Sequence, residues 1–306
     1  MHRIGSGVRN SDILRNQAWI WQTIEPIWNG AFKRIYARNG YPAHINGEVF
    51  RLEYEYGARY DRRDNRIYEP TFYGPFVSLI REGMTVYDIG AHIGIFALGA
   101  GIRVGRSGKV IAFEPAPETV AMLRRHVAFN HLDSIVDVVP AVVSDTDKGV
   151  KFFAYKASMA ASISRRNVED LNPELRTEAA SELTVDSVTI DGLRVARDLR
   201  PDVIKIDVEG AELMVLRGAR RVLAECKPMI LCEVHPPQMR NCGASIEEFN
   251  AFLTEVGYVS EPLDEPNPIG IYHALLRPSG GHSRAGSATK RAEASPKRAR
   301  GPHNQF

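Results

Sequence analysis

Acidic side chains stand where apolar runs of the chain end, and glycines follow the first of them closely. In VYDIGAHIG, Asp88 comes just before a turn that contains Gly90 and Gly94. The run VIAFEP ends on Glu114, 24 residues after Gly90, and Pro115 stops it there. Both patterns are typical of strands that end at a corner, where a backbone with little side-chain bulk lets a ligand approach a helix N-terminus.

The types of these residues limit which ligand fits. The dinucleotide-binding pattern needs a glycine at the middle position of Gly-x-Gly-x-x-Gly, where this chain has His92, so NAD and FAD are disfavoured. Asp88 repels phosphate and attracts an ammonium group, whereas Glu114 at a strand tip is placed to accept hydrogen bonds from ribose hydroxyls. A ligand with a ribose, an ammonium group and no phosphate is S-adenosylmethionine. The alternative is that the glycines only make a tight turn.

A second set of charged residues follows farther along the chain. In VIKIDVEGAEL, Lys205, Asp207 and Glu209 alternate with apolar residues, so they share one face of a strand. Three charged side chains do not face a dry core without partners, and we expect them to face a cleft or one another. Glu209 and Glu212 also open a helix, where the helix dipole alone explains a carboxylate.

Glu233 and His235 stand at the end of the apolar run MILCEVHPP. If this strand neighbours the previous one, Asp207 and Glu233 face a single cleft. Two routes then exist for a hydroxyl substrate: Asp207 or His235 removes its proton, or Asp207 and Glu233 hold Mg²⁺. The metal-free route is favoured, because a hard cation needs more oxygen ligands than these. We therefore predict Asp207, Lys205 and His235 as catalytic residues, with a backbone-bonded histidine as the alternative for His235.

Strands and helices alternate from Met84 onward and would position these residues. The strand-like runs MTVYDIG, KVIAFEP, IVDVVPAVVS, DVIKIDV and PMILCEV are separated by segments of helical pattern. Mostly continuous apolar strands between helices indicate a parallel sheet covered on both faces. The sequence therefore predicts an α/β domain, which we place at 76–278.

The front of the chain has a different pattern. Residues 12–38 carry apolar side chains at helical spacing that Pro26 interrupts, and Asn46-Gly47 predicts a hairpin turn. We expect 1–75 to form a helix and hairpin appendage. Its aromatic residues are assigned first to core packing, with a substrate pocket or a homodimer contact as alternatives; they include Trp19, Trp21, Trp28 and Tyr36.

Charge is unevenly distributed along the 306 residues. Residues 279–306 carry a net charge of +5, which leaves −3 for the rest because the whole chain carries +2. The body therefore has no basic excess that would indicate nucleic-acid binding, and 279–306 is predicted to be a disordered basic tail. The chain has neither a run of roughly 20 apolar residues nor an apolar signal-peptide core, which predicts a cytoplasmic protein without a membrane partner.

Six motifs together resemble the FkbM family of S-adenosylmethionine-dependent methyltransferases. They are VYDIGAHIGIFAL, VIAFEPAPETVAMLRRHVAFN, VVPAVVSD, VTIDGL, VIKIDVEGAELMVLRGA and MILCEVHP, and they cover about 85–236. The resemblance implies a Rossmann-like class I methyltransferase fold, with a mostly parallel doubly wound sheet and an antiparallel last strand. His92 departs from the asparagine that is frequent in the family, although histidine can still donate a hydrogen bond.

The resemblance also implies which residues contact the cofactor. The first corner would hold the methionine part, the second the ribose and the third the adenine. The residues concerned are Asp88, Gly90, Ala91, His92 and Gly94 at the first corner, Glu114 and Pro115 at the second, and Ala141, Val142, Ser144 and Asp145 at the third.

The function implied by the resemblance is O-methylation of a hydroxyl on a sugar, polyketide or other small metabolite. The basic tail keeps methylation of nucleic acid or protein as an alternative. However, the chain has DVEG where DNA amino-methyltransferases usually carry Asp/Asn-Pro-Pro-aromatic. A non-catalytic module that binds S-adenosylmethionine is the other alternative.

Overall fold

The computed structural model describes residues 28–61, 67–154, 161–171 and 180–280. After a helical segment over 28–36, the helices are α1 Tyr54–Tyr60, α2 Tyr73–Leu79, α3 Ile95–Val104, α4 Pro117–Phe129, α5 Arg165–Leu171, α6 Ile190–Arg197, α7 Glu212–Arg217, α8 Arg220–Glu225, α9 Pro236–Asn241 and α10 Ile246–Glu255. The strands are β1 Tyr41–Ile45, β2 Glu48–Leu52, β3 Thr85–Ile89, β4 Lys109–Phe113, β5 Val136–Val139, β6 Val142–Val143, β7 Val150–Ala154, β8 Ala161–Ser162, β9 Ser181–Val185, β10 Ser187–Val188, β11 Val203–Ile206, β12 Met229–Val234, β13 Tyr258–Pro262 and β14 Tyr272–Pro278.

A seven-stranded sheet in the order β13-β14-β12-β11-β3-β4-β5 organises the fold. The strands from β12 to β5 are parallel, whereas β14 is antiparallel to both β12 and β13. The predicted α/β fold with a mostly parallel sheet and an antiparallel strand near its end is confirmed. From β3 the chain proceeds to β4 and β5 on one side and later returns to β11 on the other. Such a reversal opens a crevice at the carboxyl ends of the strands.

Side chains that alternate along the central strands build a core on each face of the sheet. Val86 packs into one core and its neighbour Tyr87 into the other, as the two-residue period of a strand requires. Phe96 of α3 covers the first face, and Leu216 of α7 covers the second. Both faces are thereby dry, which explains why the sequence shows continuous apolar runs rather than polar alternation.

The front section, residues 41–80, packs on the first face of the sheet. Its hairpin β1–β2 turns at Asn46 and Gly47, as predicted, and both residues have positive φ. Phe50 is fully buried in the same core as the α3 helix. The predicted helix over 12–38 is described only from residue 28, and Trp19 and Trp21 lie outside the described residues.

His126 fastens the front section to the sheet. The backbone N–H of Glu53 donates to His126 Nε2 at 3.0 Å, and His126 Nδ1 lies 2.7 Å from the carbonyl oxygen of Ile93. A backbone N–H can only donate and a carbonyl can only accept, so His126 is neutral with its proton on Nδ1. Burial lowers its pKa in agreement with that state. The imidazole thus joins the front section to the loop that follows β3.

The other described parts are smaller. Strands β8, β7 and β9 form an antiparallel sheet within the section 146–200, and β6 pairs with β10 in parallel. Within the described ranges, the helices are too short or too polar to cross a membrane. The predicted basic tail lies outside the described residues from 281 onward.

The two corner glycines are required by contacts within the protein. Gly90 has a φ of 77°, and a Cβ there would lie 1.8 Å from the carbonyl oxygen of Asp207. Gly94 has a φ of 96°, and its Cβ would lie 2.3 Å from Leu123. Close packing of the β3 and β11 ends therefore explains Gly90 without a ligand, while its predicted contact with the cofactor stays a prediction.

We expect Gly90→Ala to lower the free energy of unfolding by about 3 kcal/mol or more, because it adds a backbone clash to an unfavourable φ. Urea unfolding measures the loss. Gly83→Ala is the matched control. Gly83 has a similar positive φ of 83°, but the nearest atom to a Cβ added there would be Ser107 Oγ at 3.6 Å. The control should lose only about 1–2 kcal/mol. Equal losses in the two variants would contradict the packing explanation.

Candidate functional site

A cavity of about 430 Å³ lies at the carboxyl ends of the parallel strands. Segments that follow four strands line it, and the front section and the β7–β8 region complete it. The lining residues are Ile89–Ile93, Ile95 and Phe96 after β3, Phe113–Pro115 after β4, Ala141–Val143 after β5, Lys205, Asp207–Glu209 and Ala211 at β11, Tyr56, Arg59, Tyr60, Tyr68 and Glu69 from the front section, and Phe152, Ser162 and Ile163.

Glu114 holds a carboxylate inside this cavity. One oxygen accepts the backbone N–H of Ala116 at 2.9 Å and the other that of His92 at 3.0 Å. Burial raises the pKa of Glu114 to about 7, although these two backbone donors act in the opposite direction. Each carboxylate oxygen keeps a further lone pair, so the side chain is fixed and can still accept hydrogen bonds from a ligand.

The third predicted corner reaches the cavity only in part. Ala141 and Val142 line it, and their buried apolar side chains suit a flat ring. Ser144 does not line it, because it is buried with its hydroxyl 3.0 Å from Ser187 Oγ. Asp145 is exposed and also lies outside the lining. The adenine contacts predicted for Ser144 and Asp145 are therefore not supported.

Lys205 is the buried cation of the site, with 2% of its side chain exposed. Its Nζ donates to the carbonyl oxygen of Gly90 at 2.8 Å and lies 3.4 Å from a carboxylate oxygen of both Asp88 and Asp207. Burial opposes the charge, but Asp207 and Asp88 outweigh it and raise the pKa of Lys205. The ammonium group thus ties the end of β11 to the corner after β3. Of the three charged residues expected to face a cleft or one another, Lys205 and Asp207 lie together, whereas Glu209 lies 3.5 Å from His235.

Asp88 is placed differently from its prediction. Its side chain is completely buried beneath the glycine corner and does not line the cavity. The nearer carboxylate oxygen lies 3.4 Å from Lys205 Nζ. Asp88 therefore balances the charge of Lys205, and a direct contact with a ligand's ammonium group is not supported.

Asp207 and Glu233 lie at the ends of neighbouring strands, but of the two only Asp207 lines the cavity, so the predicted shared cleft is not found for Glu233. Burial alone would raise the pKa of Asp207, but Lys205 and His235 lower it below its ordinary value. Burial and the charge of Asp207 raise the pKa of Glu233 to about 9. At neutral pH Glu233 is therefore the protonated partner and Asp207 the ionised one, which faces the cavity.

His235 cannot serve as the predicted base. Its side chain is 2% exposed and does not line the cavity. Nδ1 lies 2.7 Å from Glu212, and Nε2 lies 3.5 Å from Glu209. Burial acts to lower the pKa of His235, but the Glu212 hydrogen bond and the surrounding carboxylates raise it to about 10. A histidine that is already protonated has no lone pair for a substrate proton.

Three of these side chains are close enough together to be considered as ligands of one metal ion. Asp207, Glu233 and His235 offer donor atoms within 4.8 Å of one another. They do not fit Mg²⁺, because His235 directs both nitrogens at carboxylates and the Lys205 ammonium already lies beside Asp207. Mg²⁺ prefers six oxygen ligands in an octahedron. The positive charge that this carboxyl cluster requires is supplied by the protein itself.

The cavity residues from the front section were missed in the sequence. Tyr68 and Glu69 lie in no recognisable motif, and Glu69 approaches Lys205 and Asp207 only in the folded chain. The nearest signal in the sequence is Asn46-Gly47, which predicts a hairpin but not its contacts. In the structure, the side-chain oxygen of Asn46 accepts the N–H of Tyr68 and its amide donates to the carbonyl of Tyr68, both at 2.7 Å.

Comparison with known proteins agrees with the motifs. The family model described as methyltransferase FkbM domain matches residues 88–260. Hexuronic acid methyltransferase AglP of Haloferax volcanii is 26% identical over 156 residues, covering 50% of this chain and 57% of that protein. Methyltransferase sdnD of Sordaria araneosa is 27% identical over 154 residues, covering 44% and 59%. The chain thus spans less than two thirds of the length of either curated relative.

Solved structures are similar at lower identity. The methyltransferase FkbM from Methylobacillus flagellatus is 17% identical with a TM-score of 0.42, covering 67% of this chain and 50% of that one. A putative rRNA-methylase from Clostridium thermocellum is 11% identical with a TM-score of 0.41, covering 67% and 92%. The match of the family model covers more than half of the chain, including the glycine corner and the Lys205 cluster. The chain belongs to the methyltransferase FkbM family.

Proposed function

We propose that this protein is an S-adenosylmethionine-dependent O-methyltransferase that acts on a hydroxyl of a small metabolite. The observation that carries the proposal is the Glu114 carboxylate, buried in the cavity at the switch point of the sheet and fixed by two backbone N–H groups. Its neighbours are the backbone of the glycine corner and two apolar residues, Ala141 and Val142. Family membership supports the reaction class.

The residues present fit the cofactor. Glu114 would accept the ribose hydroxyls with its remaining lone pairs, and Ala141 and Val142 would pack on the adenine. The backbone from Gly90 to His92 would contact the methionine part. Carboxyl groups of Glu69 and Asp207 also line the cavity. They suit a ligand that carries a positive charge.

The chain's own residues would orient the reaction. When bound, S-adenosylmethionine supplies a methyl group on a positively charged sulfur. Lys205 fixes the Asp207 carboxylate, which would accept a hydrogen bond from the hydroxyl and align it. The tyrosines Tyr56, Tyr60 and Tyr68 would exclude water. Positioning of this kind accounts for most of the acceleration when the attacked group is already reactive.

The acceptor is proposed to be a small hydroxylated compound, with a hexuronic acid as one candidate. The name of the Haloferax volcanii relative supports that class. Arg59 lines the cavity and carries the charge that a substrate carboxylate requires. Methylation of nucleic acid or protein rests on the basic tail, which lies outside the described residues, so it stays an alternative predicted from the sequence.

We expect Glu114→Ala to weaken S-adenosylmethionine binding by about 1–3 kcal/mol, or roughly 5- to 150-fold, because buried hydrogen bonds are lost. Isothermal titration calorimetry measures the affinity. Glu118→Ala is the control, since Glu118 is exposed in the first turn of α4. Unchanged affinity in a folded Glu114→Ala protein would remove Glu114 from the cofactor site.

A transfer assay tests the reaction. With a radiolabelled methyl group on the cofactor, we expect label in at least one compound of a panel of hydroxylated metabolites that includes glucuronic acid. Asp207→Asn should lower kcat by roughly 100-fold or more, because the orienting carboxylate is lost. Asp133→Asn, a change at an exposed position, should leave the rate unchanged. Binding without any labelled product would favour the non-catalytic module.

A further inference from the structure

Glu69 lines the cavity with a carboxyl group that has no part in the methyl transfer described above. It lies in the front section and lines the same cavity as Lys205 and Asp207. Its φ of 41° is a left-handed conformation that residues other than glycine rarely adopt. Such a conformation persists only where the surroundings impose it, and it is enriched at functional sites.

The surroundings of Glu69 do impose its position. Asn46 bonds both the N–H and the carbonyl of Tyr68 at 2.7 Å, immediately before Glu69. The backbone N–H groups of Phe72 and Tyr73 donate to the carbonyl oxygen of Glu69 at 3.1 and 2.8 Å. Hydrogen bonds on both sides of the residue therefore hold its backbone at the cavity wall.

The charged groups that face Glu69 come from three parts of the fold. Tyr68 precedes it in the chain, Asp207 and Lys205 act on its charge from the end of β11, and His273 acts on it from β14. Burial is the largest influence and raises the pKa of Glu69; Asp207 adds to this, whereas Tyr68, Lys205 and His273 oppose it. On balance the pKa of Glu69 is raised, so its protonated form is more populated in the protein than it would be in water at the same pH.

Asp207 differs from Glu69 in this respect. Its carboxylate lies 3.4 Å from Lys205 and is already ionised, so it has little affinity for a further proton. A positive ligand charge that enters the cavity must therefore be compensated by a carboxyl group that can still lose a proton. Glu114 and Glu209 also line the cavity, but two backbone N–H groups hold Glu114, and the ring of His235 lies 3.5 Å from Glu209. Glu69 is the lining carboxyl group beside Asp207 that can still lose a proton.

We propose, on the basis of the proposed function, that binding of the positively charged cofactor releases a proton from Glu69 and leaves its carboxylate in the loaded cavity as the acceptor of the hydroxyl proton. The balance is simple. The proton of Glu69 leaves to solvent when the cation binds. During transfer the acceptor O–H bond breaks and its proton joins Glu69, while the O–CH₃ bond forms and the sulfur–methyl bond breaks, leaving a neutral thioether.

Calorimetry with two natural probes tests this coupling without knowledge of the acceptor. S-adenosylmethionine carries the positive sulfur, whereas S-adenosylhomocysteine is neutral there and shares every other titrating group. Both are titrated into the full chain between pH 5 and 7.5, in pairs of buffers with different ionisation enthalpies, which reports the protons released. If a carboxyl group of the protein loses its proton when the ligand binds, the affinity for that ligand rises with pH. The rise ends at the pH where the carboxyl group is already ionised in the free protein.

In the wild-type protein, we expect S-adenosylmethionine to release more protons than S-adenosylhomocysteine. The affinity for S-adenosylmethionine divided by that for S-adenosylhomocysteine should rise by roughly threefold or more between pH 5 and 7.5. Glu69→Gln should flatten that rise, and Glu69→Asp should keep it. Glu55→Gln is the matched control, because Glu55 is an exposed carboxylate of the front section outside the cavity lining; it should behave as the wild type.

The outcomes separate the two proposals. If S-adenosylmethionine does not bind, the proposed function fails and this inference fails with it. If it binds but Glu69→Gln keeps the wild-type proton release and pH dependence, only the inference is overturned. Should Glu69→Gln not fold, Tyr68→Phe decides: it removes a hydroxyl that lowers the pKa of Glu69, so the rise must move to higher pH, and an unmoved rise would contradict the role of Glu69.

Discussion

A buried ammonium group between two carboxylates is the contact on which the site depends. Lys205 is enclosed by Asp88 below and Asp207 beside the cavity, and it bonds the carbonyl oxygen of Gly90. Removing one partner of a buried ion pair leaves an uncompensated charge, which is strongly destabilising. The cluster therefore fixes how closely β3 and β11 approach at the switch point. That approach in turn leaves no room for a side chain at Gly90.

The same cluster sets the electrostatic character of the cavity. His235 lies outside the cavity lining, between Glu212 and Glu209, and its positive charge offsets part of the negative charge of these carboxylates. Asp207 and Glu69 lie on the cavity side, with Lys205 as the buried cation near both. Carboxyl groups in the lining suit a cationic ligand, which agrees with the proposed cofactor.

The sequence predicted the strand ends well and the partners of their side chains poorly. Asp88, Glu114 and Asp207 end or follow apolar runs, and such runs reveal a buried parallel sheet without knowledge of contacts. Alternation could place Lys205 on the face of Asp207, but it could not show that Asp88 points inward or that His235 meets Glu212. Those facts depend on the packing of separate strands and loops. The division into an appendage over 1–75 and a domain over 76–278 stays a prediction, although residues 41–80 share a core with the sheet.

The most direct measurement of the central claim is a crystal structure with bound S-adenosylhomocysteine. Density for the ligand is predicted in the cavity, with the ribose hydroxyls within hydrogen-bond distance of Glu114 and the sulfur toward Asp207. A ligand seated elsewhere on the protein, or a ribose that leaves Glu114 without contact, would contradict the assignment of this cavity as the cofactor site.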